Sequence, residues 1–123
     1  MYSWIQVFDA YGKVLHQVNL GGKPAVTDLA AEKGLIVSVD PLRRMMILDG
    51  SLNVRYLRDL AVEPRQVLVR NGKIYILDRG GIDVFDRTGK RLNRMNIPGA
   101  QRMVFLENGT LSVLDYRDNV YFY

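Results

Sequence analysis

Asn71 to Lys90 reads NGKIYILDRGGIDVFDRTGK. It opens on Asn-Gly, a pair that tolerates positive φ at both positions and so closes two-residue β-hairpins. A β-branched and aromatic run follows, Ile74 to Leu77, and stops at Asp78. After an Arg-Gly-Gly loop a second run, Ile82 to Phe85, stops at Asp86 before a turn containing Gly89 and Lys90. Aspartate in that position accepts backbone N–H groups in a tight turn. Two short strands joined by turns, with no helical period, read as part of an antiparallel meander.

The same text recurs on both sides. NGTLSVLDYRDNVYFY runs from Asn108, KGLIVSVDPLRRMMIL from Lys33, and WIQVFDAYGK from Trp4. A repeat of about 40 residues made of short strands is the signature of a β-propeller blade, a four-stranded antiparallel sheet with strands a to d. Strand b is expected at Ile36 to Val39, Ile74 to Leu77 and Leu111 to Leu114, each copy ending at an aspartate (Asp40, Asp78, Asp115). Strand a precedes it at Val26 to Leu29, Val67 to Val69 and Val104 to Leu106. Strand c starts near residues 5, 45, 82 and 120, and strand d covers Val14 to Leu20, Val54 to Leu60 and Leu92 to Ile97. Asn108-Gly109 is expected to repeat the Asn71-Gly72 turn, and Thr27 to Lys33 could form a single helical turn. The fold class is all-β, with residues 1–123 as a single partial propeller domain.

These residues resemble the NHL repeat family of β-propellers. Gly72, Ile74, Tyr75, Ile76, Asp78, Ile82, Val84, Phe85, Asp86, Gly89 and Lys90 match its strand b and strand c pattern in one copy. Ile5, Gln6, Val7, Phe8, Asp9, Gly12 and Lys13 match the second half again. The middle copy departs, with PLRRMMILD in place of the usual short b–c loop and Phe-Asp, and no Gly-Lys after it. Quinoprotein-like propellers carry similar blades. The resemblance implies the fold; a blade of this kind serves many roles.

Counting strands gives thirteen, which is three blades plus one extra strand c. Propellers are usually rings of about 4–8 blades, because each blade hides its faces against two neighbours. The outer faces here should therefore be apolar and exposed, which drives association. The expected partners are a second copy, giving a dimer that closes a six-bladed ring, or the remainder of a larger propeller. The assembly edge would use Ile5 and Val7 at one end and Val120, Tyr121, Phe122 and Tyr123 at the other.

Composition excludes several chemistries. There is no cysteine and a single histidine, His16, so thiolate catalysis and a transition-metal site within one chain have no ligands. The repeated aspartates sit at equivalent turn positions, which is what a structural role predicts, and no serine lies in a nucleophile motif. No catalytic, cofactor or metal residue is assigned, and a non-catalytic binding and assembly module for protein or peptide is the leading expectation. A fragment of a propeller enzyme, with its catalytic residues outside this stretch, is a third. No apolar run approaches the ~20 residues of a membrane span and no signal-peptide pattern opens the chain, which leaves the compartment open with the cytoplasm as the default.

Net charge is +4, with 12 arginines. In a propeller the b–c and d–a loops emerge on one face of the disc. The b–c loops carry Arg43, Arg44, Arg79 and Arg117, and the d–a connections carry Lys23, Arg65 and Arg102. Resemblance to NHL-type propellers, which can bind RNA through such a face, makes nucleic acid the alternative ligand. Tyr116, beside Arg117, would stack on a base.

Overall fold

The computed structural model describes residues 4–19 and 26–123. These form thirteen strands and no helix: β1 (Trp4–Phe8), β2 (Val14–Asn19), β3 (Asp28–Glu32), β4 (Leu35–Val39), β5 (Arg44–Leu48), β6 (Val54–Asp59), β7 (Gln66–Arg70), β8 (Lys73–Asp78), β9 (Gly81–Phe85), β10 (Arg91–Asn96), β11 (Ala100–Phe105), β12 (Leu111–Asp115) and β13 (Val120–Phe122). All pairing is antiparallel between consecutive strands. An N-terminal half-blade (β1-β2) is followed by two full blades (β3 to β6 and β7 to β10) and a C-terminal blade of three strands (β11 to β13). Strands c and d begin the chain and strands a, b and c end it.

Burial explains the order. The second strands, β4 and β8, and the third strand β9 are largely apolar, with Ser38 and Asp83 the polar residues inside β4 and β9, and are buried along most or all of their length. Both faces must be covered, so blades stack. One core cluster joins the two full blades through Val37, Val39, Met45 and Ile47 against Val67, Ile74, Ile76 and Phe85. A second joins the second full blade to the C-terminal one through Leu77, Ile82 and Val84 against Met103, Leu111 and Val113. A third seats the half-blade, with Ile5 on Ile36, Leu48 and Leu52. The outermost strand β6 is exposed at every residue. The inner strands also tie to one another: the Asp28 carboxylate accepts the Val67 N–H at 2.8 Å, while the Gln66 amide accepts the Met103 N–H and donates to its carbonyl.

Three local expectations change. Thr27 to Lys33 forms no helical turn, and the first strand a lies at Asp28–Glu32 rather than Val26 to Leu29. The hairpin with β4 takes every residue from Asp28 to Glu32 into register, and Ala30 packs on the inter-blade core, so tertiary pairing overrides the helix propensity of the two alanines. The C-terminal strand a begins at Ala100, four residues before Val104, with Gln101 bulged out of register. Asn108-Gly109 does not repeat Asn71-Gly72. In the latter both residues are left-handed, with φ of +52° and +74°, whereas only Gly109 is so in the former. There the Gly109 N–H donates to Leu106, and the Asn108 side chain accepts the Thr110 N–H. Leu20, Gly21, Gly22 and Lys23 lie outside the described residues.

One charged cluster is buried. Asp78 and Asp83 flank Arg94, which donates to both Asp78 oxygens at 2.9 and 3.2 Å; Asp83 Oδ1 is 3.2 Å from its Nη1. The Asp78 carboxylate, with Asp83 beside it, raises the Arg94 pKa above its ordinary value. Removing the guanidinium leaves two carboxylates with little access to water, Asp78 holding only the Gly80 N–H and Asp83 only the more distant Arg91 at 3.7 Å. Arg94→Ala is therefore expected to cost about 3 kcal/mol in urea unfolding. Arg94→Lys should recover only part of that, since lysine cannot bridge both oxygens of Asp78 in a plane.

Candidate functional site

Five of the six strand-end aspartates build the same loop. One oxygen accepts the N–H groups two and four residues on: Tyr11 and Lys13 for Asp9, Leu42 and Arg44 for Asp40, Ser51 and Asn53 for Asp49, Thr88 and Lys90 for Asp86, and Arg117 and Asn119 for Asp115. These carboxylates are occupied by their own turns. Asp78 departs: it accepts only the Gly80 N–H, at 2.7 Å, and turns its remaining capacity to Arg94. The Asp78 loop is thus shorter, and it presents Arg79 outward.

The loops at the junction between the second full blade and the C-terminal blade are stitched together by main-chain bonds. Gly99 N–H donates to the Arg79 carbonyl at 2.9 Å, and Tyr116 N–H donates to the Gly99 carbonyl at 3.0 Å. Arg65 N–H donates to Leu77, next to a fully buried Pro64. A shallow cleft of about 230 Å³ results, lined by Arg65, Arg79, Gly99, Gln101 and Tyr116. The Arg117 guanidinium lies 5.2 Å from the Tyr116 ring centroid. The cleft is therefore rimmed by cations and floored by an exposed aromatic ring. Gly99 is left-handed at φ +77°, and a β-carbon there would run into the Tyr116 ring, so a side chain at this position has to push the ring aside.

Of the eight predicted ligand-facing residues, the structure brings four together: Arg65, Arg79, Tyr116 and Arg117. Arg43 and Arg44 lie one blade away. Arg44 is ion-paired with Asp40 at 2.9 Å, and Arg43 donates to the Ala61 carbonyl at 3.4 Å. Arg102 is not in a d–a connection; it sits within β11, opposite Leu114, because that strand starts at Ala100. Lys23 is outside the described residues. Sequence reasoning misses Gln101, whose bulge has no signal beyond a polar residue after Pro98-Gly99. Among the described residues no group of three or more His, Asp or Glu stands together as a metal site, and no helix is long and apolar enough to cross a membrane.

The two ends of the stack differ in what they expose. Val120 and Phe122 lie with Val104 and Leu114 on the open face of the C-terminal blade; Val104 is 56% and Phe122 64% exposed. Tyr121 points to the other face, where its hydroxyl donates to Asp115 at 3.1 Å, and Tyr123 exchanges both main-chain bonds with Leu111. Ile5 is buried and Val7 is packed beside it against the first full blade, so the open side of the half-blade is carried instead by Trp4 and Phe8. Among the described residues β1 pairs only with β2, which leaves its other backbone edge open.

This architecture is that of a β-propeller, here a partial one. No protein-family model matches the chain, and no curated protein sequence does. Solved propeller-type structures match it closely in shape. BamB from Moraxella catarrhalis superposes with a TM-score of 0.74 at 15% identity, over 89% of this chain and 36% of that one. Saccharomyces cerevisiae Sqt1 gives 0.62 at 14% identity, over 90% and 35%. HIRA residues 644–1017 give 0.64 at 9%, over 91% and 40%. The chain thus spans between a third and two-fifths of the propellers it matches.

Two outcomes test the site's construction. Gly99→Ala should displace Tyr116 and open the cleft, seen as a change in Tyr116 proton shifts without loss of the β-sheet spectrum. The second concerns pH. Asp49 is held below the ordinary carboxylate range first by the Asn53 N–H, and Asp86 first by the Thr88 hydroxyl. Burial pushes Asp115 up, but Asn119, Arg117 and Tyr121 together hold it below that range. Groups with a folded pKa below the unfolded one (about 3.9) stabilise the fold above that pH and lose the contribution as pH falls through the folded value. The melting temperature should therefore drop below about pH 4. Asp115→Asn, which keeps the acceptor oxygen, should flatten that acid limb.

Proposed function

We propose that this chain is a non-catalytic β-propeller module for binding and assembly, whose blade stack is completed by further blades. The observation that carries this is the pair of unfinished ends. The face formed by Val104, Leu114, Val120 and Phe122 is equivalent to the forward faces of the two full blades, which are buried against the blade that follows, yet among the described residues no further blade covers it. Contiguous apolar surface of this kind marks an interaction site. The partial coverage of propeller structures supports the same reading, whether the added blades come from a second copy or from a larger propeller. The NHL-type assignment of the repeat rests on its motif residues alone.

Light scattering tests it directly. A mass of twice 14.1 kDa or more, shifting to monomer with Val104→Asp, is expected. A monodisperse wild-type monomer at all accessible concentrations, unaffected by that charge, would overturn self-completion.

A second reading is favoured by the convergence of Arg65, Arg79, Tyr116 and Arg117 on one cleft: recognition of an anionic ligand with a planar group, single-stranded RNA being the extended case. Cations would meet phosphate and Tyr116 would stack on a base. Arg79→Glu should weaken RNA binding and reduce the salt slope by about 0.7 for each phosphate it no longer neutralises. Binding insensitive to both salt and that charge reversal would remove the reading.

A further inference from the structure

The inner face of the first full blade carries an anomaly. Leu29 pairs with Ser38, Val67 with Ile76, and Met103 with Val113, and each partner lies two residues before its strand-end aspartate. Leu29, Val67 and Met103 are therefore the same position in three successive blades. Val67 is 1% and Met103 4% exposed, whereas Leu29 is 46% exposed. What covers Val67 and Met103 is the inner half, strands a and b, of the preceding blade. The half-blade in front of Leu29 has only strands c and d. In the place of the missing pair lies an apolar groove of about 390 Å³, lined by Ile5, Val7, Leu29, Ala31 and Ile36. It runs along the unpaired edge of β1.

We infer that this groove is a strand-addition seat for β11 and β12 of a second copy, which pair with β1 in place of their own β13. The inference rests on the assembly reading above and names its partner and register. Three observations favour this occupant. First, β11-β12 is a strand a–strand b unit whose forward face is exposed at Val104 and half-buried at Leu114 in its own chain. Second, β1 and β13 are the same strand of the repeat. The register Leu114↔Val120, Val113↔Tyr121 and Ser112↔Phe122 carries over to Ile5, Gln6 and Val7, because Ile5 aligns with Val120 when the strand c copies are superposed. Third, Arg102 pairs with Leu114 as Gln66 pairs with Leu77 and Asp28 with Val39. Asp28 and Gln66 are the residues that bind the next inner strand one position further on, at Val67 and Met103. In the seat, Arg102 of one copy faces the backbone of Leu29 of the other, where a guanidinium donates to the carbonyl.

The exchange is feasible because β1 takes up the same register on β12 that β13 gives up with its Tyr123–Leu111 and Tyr121–Asp115 bonds. β13 is three residues long and exposed throughout, while β1 offers five residues and a lined groove. Two such exchanges, one at each end, join two copies into a closed ring with six four-stranded blades. Each copy's β13 is then displaced.

Cysteine cross-linking reads the register, in a chain that has no cysteine of its own. Val7→Cys and Ser112→Cys are made separately, mixed and oxidised. A cross-linked pair of chains should form in the mixture and at most weakly with either variant alone. Tyr121→Pro, which frees the β12 edge, should tighten the dimer at least tenfold, the reverse of what removing a strand from a preformed interface would do. Arg102→Ala should loosen it. A dimer that gives no Val7–Ser112 cross-link, or that Tyr121→Pro weakens, overturns this seat and leaves the assembly reading standing. A monomer at every concentration, with the variants folded by their far-ultraviolet spectra, assigns the groove to another occupant and overturns both the seat and self-completion.

Discussion

A sheet that is apolar on both faces cannot stand in water, and everything else in this molecule follows from that. The buried strands β4, β8 and β9 have no solvent side, so each full blade has to be clasped between two others. Clasping imposes a fixed stacking geometry. That geometry aligns the inner strands closely enough for Asp28 and Gln66 to reach the backbone of the following blade. It also leaves a remainder: a stack that has not closed on itself carries one forward face and one backward face with nothing against them. Val104, Val120 and Phe122 are exposed for that reason, and for the same reason Leu29 is bare where Val67 and Met103 are covered.

Against this repetitive frame, local departures locate the loops that could meet a ligand. Five aspartates satisfy their own turns in the same way, so they hold loop shape and have little capacity left for other chemistry. Asp78 breaks the pattern by accepting a single N–H of its own loop, that of Gly80, with Arg94 bridging both of its oxygens. The shortened loop brings Arg79 within main-chain bonding distance of Gly99, and Gly99 in turn holds Tyr116. The cationic cleft forms where this one loop is shorter than its counterparts. Its cations come from loops far apart in sequence, and its floor depends on a glycine where any side chain would push the Tyr116 ring aside.

Much of the fold is legible in the sequence because the repeat states it four times. The b strands, the c strands and their terminal aspartates fall within a residue or two of where β-branched runs and turn residues put them, since both act locally. Readings fail where a distant partner decides. Thr27 to Lys33 has alanines that favour a helix in isolation, but the hairpin partner β4 and the core beneath Ala30 outweigh them. Asn108-Gly109 matches Asn71-Gly72 in letters and differs in geometry, since the loop closes one residue wider, on Leu106 and Thr110. Arg102 reads as a loop residue because the bulge at Gln101, which lets β11 start early, has no compositional mark.

The candidate site divides along the same line. That arginines crowd the b–c and d–a loops could be read from strand order alone. Which of them converge could not, because Arg65, Arg79, Tyr116 and Arg117 meet only through the stacking of two blades, while Arg44 is claimed by Asp40. Sequence determined the blade, its strand order and the shortfall in the ring, because these rest on periodicity, turn chemistry and counting. Tertiary structure decided which surfaces are left bare and which cations stand free, because burial and pairing belong to two blades at once and to neither one's sequence.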